Sequence, residues 1–218
     1  MSFQDESEAG ASLTGRIARS LAQRILTGAL APGAAVRQDH VAAEFGASHV
    51  PVREAFRTLE AQGLLISEPR RGVRVAPLDP GLVLEVTAMR AALEVLALRR
   101  GFARLGPAEL ETAAAALAEA EASDDVQLWE AANRRFHHAI TAPCGMQRLL
   151  ATIEGLQRTS ARFLFAAWRE LDWQPRSEAE HRHILAELAA GRIDAAARAL
   201  EAHILAAGDA LAARLASA

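Results

Sequence analysis

The 218-residue chain is expected to be mainly α-helical, an N-terminal winged helix-turn-helix followed by an antiparallel all-helical bundle of about six helices. Three observations predict this. Strand-like patterning occurs only at Leu64-Leu65-Ile66 and Val73-Arg74-Val75, with Pro69 and Gly72 between them. From Pro80 onward every stretch has helical periodicity, interrupted by Gly, Pro or Asp stops. Charge also divides the chain: residues 11–78 hold nine Arg against five acids, whereas 79–218 hold 15 Arg against 19. A basic first domain on an acidic second one fits a nucleic-acid-binding module joined to something else.

Residues 1–10, polar and acidic, read as a loose tail. The first domain is assigned to 11–76. Leu13, Ile17, Leu21 and Ile25 form an apolar stripe that stops at Gly28. Arg16, Arg19 and Arg24 lie off that stripe, where they serve either phosphates or a solvated face. A short helix over about Gln38–Phe45 ends at Gly46, and the turn leads to Ser48, expected to cap the next helix with its hydroxyl. Pro51 falls in the first turn. Val52, Phe56, Leu59 and Gly63 make the inward stripe. His49, Arg53 and Arg57, spaced by four, line another face with donors and cations, as a major-groove reader requires. Arg70, Arg71 and Gly72 sit at the tip of the hairpin, a wing placed to reach phosphates or the minor groove.

Residues 77–79 form the linker, with Asp79 placed to cap the next helix and Pro80 in its first turn. The second domain, 80–218, is expected to contain helices over about 80–104, 107–121, 124–142, 146–171, 176–190 and 194–216. Leu82, Val86, Met89, Leu93 and Leu96 are the expected inward seam of the first. No run of about 18 apolar residues occurs, so no membrane span is expected. Cys144 is the only cysteine, which excludes an intrachain disulfide and suits a reducing cytoplasm.

Polar groups on apolar faces mark the bundle's chemistry. His137 shares a face with Trp129, Asn133, Phe136 and Ile140; His181 lines up with Ile184, Leu185 and Leu188; His203 with Leu200, Ala207 and Leu211. Each would cost roughly 1–3 kcal/mol if buried without a partner. Three inward imidazoles from three helices suit either hydrogen-bonded core or a divalent-metal site. His138 and His183 fall off the stripes. Metal-assisted hydrolysis is disfavoured, since no inward carboxylate is clearly placed as a general base, although Glu180 adjoins His181.

In order and motif the chain resembles the GntR family of bacterial transcription regulators, in the FadR-like branch with an FCD-type effector domain. The segments carrying the resemblance are ILTGALAPG (25–33), FGASHVPVREAFRTLEAQGLL (45–65), RRGVRVA (70–76), MRAALE (89–94), NRRFHHAI (133–140), EHRHILAEL (180–188) and ARALEAHI (197–204). The resemblance implies a non-enzymatic, ligand-responsive homodimer, most often a repressor. It would bind a pseudo-palindromic operator in double-stranded DNA and change its grip when a small organic acid enters the bundle. Such a protein works in the bacterial cytoplasm, on the nucleoid when bound to DNA. The resemblance also implies a divalent metal on Asn133, His137, His181 and His203, zinc first with nickel or manganese as alternatives. Asn133 stands where the family usually has Asp, and an amide oxygen binds such cations more weakly. A metal-free bundle that holds an acyl-CoA, or only dimerises, is the alternative. His49 stands where many relatives carry Arg, so the operator is expected to differ from theirs. Arg90 either pairs with an effector carboxylate or with Glu94, four residues on.

Overall fold

The structure is a computed structural model that describes residues 12–68, 71–167 and 174–217. It separates into two compact units, with the division between Leu78 and Asp79. The first unit holds helices α1 (Leu13–Leu26), α2 (Gln38–Phe45) and α3 (His49–Ala61) and strands β1 (Leu65–Glu68) and β2 (Gly72–Val75). The Ser12 side chain caps α1 by accepting from Gly15 N–H at 3.2 Å. Ile17, Leu21 and Ile25 of α1 then pack against Val52, Phe56 and Leu59 of α3. Gly46 takes a left-handed conformation at φ +58°, ending α2 and opening the tight turn into α3.

The two strands pair antiparallel from Leu65↔Val75 to Glu68↔Gly72. A bridge between Ala35 and Arg74 adds a third extended segment, fixed by Val36 N–H donating to the Val73 carbonyl at 2.9 Å. β1 begins one residue later than the sequence expectation, leaving out Leu64, and runs on to Glu68, while β2 begins one residue earlier; the hairpin's base is anchored by buried Leu65 and Val75. Gly63 departs from its expected inward place. It is exposed, with φ +67°, and acts as the turn that releases the chain from α3 into β1.

The second unit contains α4 (Pro80–Gly101), α5 (Pro107–Glu121), α6 (Val126–Thr141), α7 (Gln147–Ala167), α8 (Gln174–Ala189) and α9 (Ile193–Ala216). Caps explain several starts. Asp79 accepts from Gly81 N–H, Asp125 from Gln127 and Leu128 N–H, and Glu109 from Gly106 N–H. Short 3-10 turns at Phe102–Arg104 and Ala142–Cys144 follow α4 and α6. The expected end of α7 near 171 lies outside the described residues. The core joins Leu98 of α4, Leu117 of α5, Phe136 and Ile140 of α6, Ile184 and Leu188 of α8, and Leu200 and Ile204 of α9.

The seam of α4 differs from expectation. Val86 is buried and Leu82 and Leu93 are half-buried, but Met89 and Leu96 are exposed at 43% and 38%. The face turned inward is instead Val83, Val86, Thr87, Ala91, Glu94, Ala97, Leu98 and Gly101. The reason is close packing by small residues. A Cβ on Gly208 of α9 would collide with the Thr87 side chain, and one on Gly101 would lie 2.6 Å from the Cys144 nitrogen. Helices that approach so closely leave no room on that face for Met89 or Leu96.

Candidate functional site

The first unit presents its expected readers on one helix. Ser48, His49, Arg53 and Arg57 are all exposed, while the opposite face of α3 is buried. Ser48 has the extended backbone of a cap, but its hydroxyl makes no cap hydrogen bond, contrary to expectation. Pro51 supplies the reason: it occupies the third helical position, whose N–H such a hydroxyl would ordinarily bond, and proline has none. The hydroxyl is thereby left to face solvent. His49 Nδ1 lies 3.6 Å from Asp39 Oδ1, and its carbonyl accepts from Gln38 Nε2 at 2.8 Å. Arg57 donates to Glu54 at 2.9 Å, whereas Arg53 makes no ion pair among the described residues. At the wing, Arg71 is exposed and 3.8 Å from Glu68, and Gly72 has φ +78°. Arg70 lies outside the described residues. Arg16 and Arg19 are exposed, but Arg24 is held by Glu44, which favours a structural role for it over a phosphate contact.

In the bundle, α6, α8 and α9 bring His137, His181 and His203 together, all three buried. Their nearest ligand atoms lie within 4.8 Å of one another. His137 Nε2 and His181 Nε2 are 3.3 Å apart. Two nitrogens at tetrahedral corners, each about 2.05 Å from zinc, sit about 3.3 Å apart, so this pair has the spacing of a coordination edge.

Two carboxylates orient the rings. Glu94 Oε2 lies 2.7 Å from His137 Nδ1, and Glu180 Oε2 lies 2.8 Å from His203 Nδ1. An Nδ1–H donated to the carboxylate on each ring would leave Nε2 to a metal ion, an arrangement commonly found behind metal-bound histidines. Burial, with His203, His137 and Arg90 nearby, pushes His181 well below the usual imidazole range. Burial also lowers His203, although Glu180 acts in the opposite sense. Neutral imidazoles are what a cation requires. Glu94 is fully buried; burial pushes its carboxyl up, but Arg90 and His137 more than reverse this and hold it at about 2.

Asn133, one turn before His137, lines the same pocket, and its Oδ1 is buried with no hydrogen-bond partner among the described residues. That orphaned oxygen beside three imidazoles suits a fourth ligand, so the donor set fits a borderline divalent ion. Arg90 reaches the pocket too. Its Nε donates to Glu94 at 3.0 Å, while its Nη groups make no hydrogen bond among the described residues. The expected pairing with Glu94 is thus formed, and the Nη groups are still open to a carboxylate. The pocket measures about 60 Å³ by the centre of a water-sized sphere, several times what one water needs.

The FCD domain family matches residues 85–206, more than half of the chain, and the family described as bacterial regulatory proteins, gntR family, matches residues 13–75. The chain belongs to the GntR family. A probable D-xylose utilization operon transcriptional repressor of Paenarthrobacter nicotinovorans is 32% identical over 85% of this chain and 83% of its own. The Nta operon transcriptional regulator of Aminobacter aminovorans is 29% identical over 79% of this chain and 82% of its own. Among solved structures, a putative GntR regulator from Rhodococcus sp. RHA1 superposes with TM-score 0.78 at 25% identity, covering 92% of this chain and 98% of that one. This GntR protein is therefore a DNA-binding transcriptional regulator and not an enzyme, with repressors among its relatives.

Sequence reasoning named all three histidines but missed how they are held. The sequence pattern pairs Glu94 with Arg90 alone and sets Glu180 only beside His181. The missed signal is periodic: Glu94 sits in register with Val83, Thr87, Ala91 and Leu98, so an inward α4 face built from small residues carries a carboxylate into the core. Ser177, fully buried in the pocket wall with its hydroxyl unbonded among the described residues, carried no signal.

Proposed function

We propose that this regulator binds a pseudo-palindromic operator as a homodimer, most simply as a repressor, and that a small carboxylate in the metal-bearing bundle alters its grip. The observation that carries the reading is the convergence of His137, His181 and His203 on a pocket that Asn133 and Arg90 also line. In this reading 11–76 is the DNA module, 77–79 the linker and 80–218 the effector-binding and dimerisation domain. On the DNA side, His49, Arg53 and Arg57 meet base edges in the major groove, and Ser48 meets a phosphate. Arg71 and Gly72, with Arg70, form the wing's contact to the backbone.

His137, His181, His203 and Asn133 hold the ion, zinc by preference for three imidazoles and one oxygen, with nickel or manganese as alternatives. Because all four ligands are neutral, no charge among them offsets that of the ion, which favours an anionic effector as a further ligand. The Arg90 Nη groups suit that effector's carboxylate. Among the described residues no helix is long and apolar enough to cross a membrane. We place the protein in the bacterial cytoplasm, on the nucleoid when it is bound to DNA.

Elemental analysis of the purified protein, paired with His137→Ala, tests the reading. The expected result is one metal per chain and a substituted protein that loses both metal and thermal stability. Absence of stoichiometric metal with unchanged stability in His137→Ala would move the account to a metal-free bundle that holds another ligand, such as an acyl-CoA, or only dimerises.

A further inference from the structure

The outward face of α3 is polar except at its centre. His49, Arg53, Glu54, Arg57 and Thr58 are exposed, and so is Val50, at 58%. Among the described residues of the first unit it is the one exposed large apolar side chain; the others are buried or half-buried. Its place on the helix gives that exposure a direction. Successive residues of a helix turn by about 100°, so Val50 points almost directly away from the midpoint of the buried stripe of Val52, Ala55, Phe56 and Leu59. Arg53 and Arg57 lie on one side of it and Glu54 on the other.

Val50 is the second residue of α3, in the turn that a recognition helix presents to base edges in the major groove. There it would give up water without gaining a hydrogen bond, since its side chain can neither donate nor accept. Guanine, adenine and cytosine each offer polar atoms on that edge, and only thymine adds an apolar substituent, the C5-methyl. Against the first three, Val50 would desolvate a polar atom and leave it unpaired. Against thymine it buries methyl on methyl. The side chain is also stiff: β-branching leaves one strongly preferred rotamer in a helix, and Pro51 fixes the backbone of the next residue. Its methyls are therefore held in place before DNA arrives, and little side-chain freedom is lost on docking.

We propose that Val50 reads the C5-methyl of a thymine, once in each half-site, and specifies that base pair of the operator. The contact rests on α3 being the major-groove reader, as above. It adds an apolar element that His49, Arg53 and Arg57, all donors or cations, do not supply.

Gel-shift titration of the full-length protein on uracil-substituted DNA tests it. A binding duplex is first selected from a random-sequence library with wild-type protein. Each thymine is then replaced by uracil, which lacks only the methyl, at equivalent positions of both half-sites. At one position the replacement is expected to weaken wild type about fourfold for each methyl lost, and so about 15-fold for the pair. Val50→Ala is expected to bind the thymine duplex about as weakly as wild type binds the uracil one, and to be indifferent to that replacement. A selected half-site without thymine, a wild type indifferent to uracil at every position, or a uracil penalty that persists in Val50→Ala overturns the contact. In that event Arg53→Ala separates two failures. If Arg53→Ala weakens operator binding, only the thymine contact falls; if it binds like wild type, the reader role of α3 falls as well.

Discussion

Replacing Glu94 by Gln removes one charge from the centre of the bundle and leaves its shape nearly unchanged. The carboxylate accepts from Arg90 Nε at 3.0 Å, His137 Nδ1 at 2.7 Å and Gln157 Nε2 at 3.3 Å, and is fully buried. A glutamine offers one acceptor and one donor group, so either Arg90 or the His137 Nδ1–H must face an N–H. Removing one member of a buried ion pair typically costs about 3–5 kcal/mol. The lower end applies here, because the Arg90 side chain keeps 13% of its exposure on the pocket side. A second route agrees: holding the carboxyl at about 2 against its ordinary 4.5 corresponds to about 3 kcal/mol. Urea unfolding of chelator-treated protein, followed by circular dichroism, is expected to show a loss of about 3 kcal/mol for Glu94→Gln. Metal affinity is expected to fall roughly 10- to 100-fold, since His137 loses the acceptor that fixes its tautomer. A loss below about 0.5 kcal/mol, the range of an ordinary surface change, would refute the reasoning.

Further outcomes rest on separate observations. Gly208→Ala forces a methyl into the Thr87 side chain and is expected to cost about 1–3 kcal/mol, read as a lowered melting temperature; an unchanged value would mean that α4 and α9 are not packed so closely. Arg53→Ala is expected to weaken specific operator binding by about 1–3 kcal/mol in a gel-shift titration, and unchanged affinity would remove Arg53 from the interface. The folded-state values of His181 and His203 lie below the unfolded one, so protons favour the unfolded chain. Metal-stripped protein should therefore be most stable above about pH 6.5 and lose stability as pH falls from there. Glu94 is expected to add a further loss as pH falls from its ordinary 4.5 towards about 2, and a flat stability between pH 7 and 5 would contradict the histidine burial.

The DNA module was readable because its signals are local. Gly46, Ser48 and the Val52–Phe56–Leu59 stripe each act within a turn or two of chain. The three histidines were readable for a similar reason, since a polar residue on an apolar stripe marks itself. What could not be read is set by how closely helices approach. Gly208 against Thr87 and Gly101 against the Cys144 backbone draw α4 inward on its small-residue face. That turns Met89 and Leu96 outward and Glu94 inward, against the expectation that the largest apolar residues define the core face. Ser48 shows a finer limit: its type predicts a cap bond, and Pro51 three residues later removes the usual donor.

The account depends most on His137, His181, His203 and Asn133 acting as one cation site. Calorimetric titration of zinc into chelator-stripped protein measures this directly, with His203→Ala as its control. One tight site per chain in the wild type, lost in His203→Ala, is the result expected. Heat indistinguishable between the two proteins would contradict it.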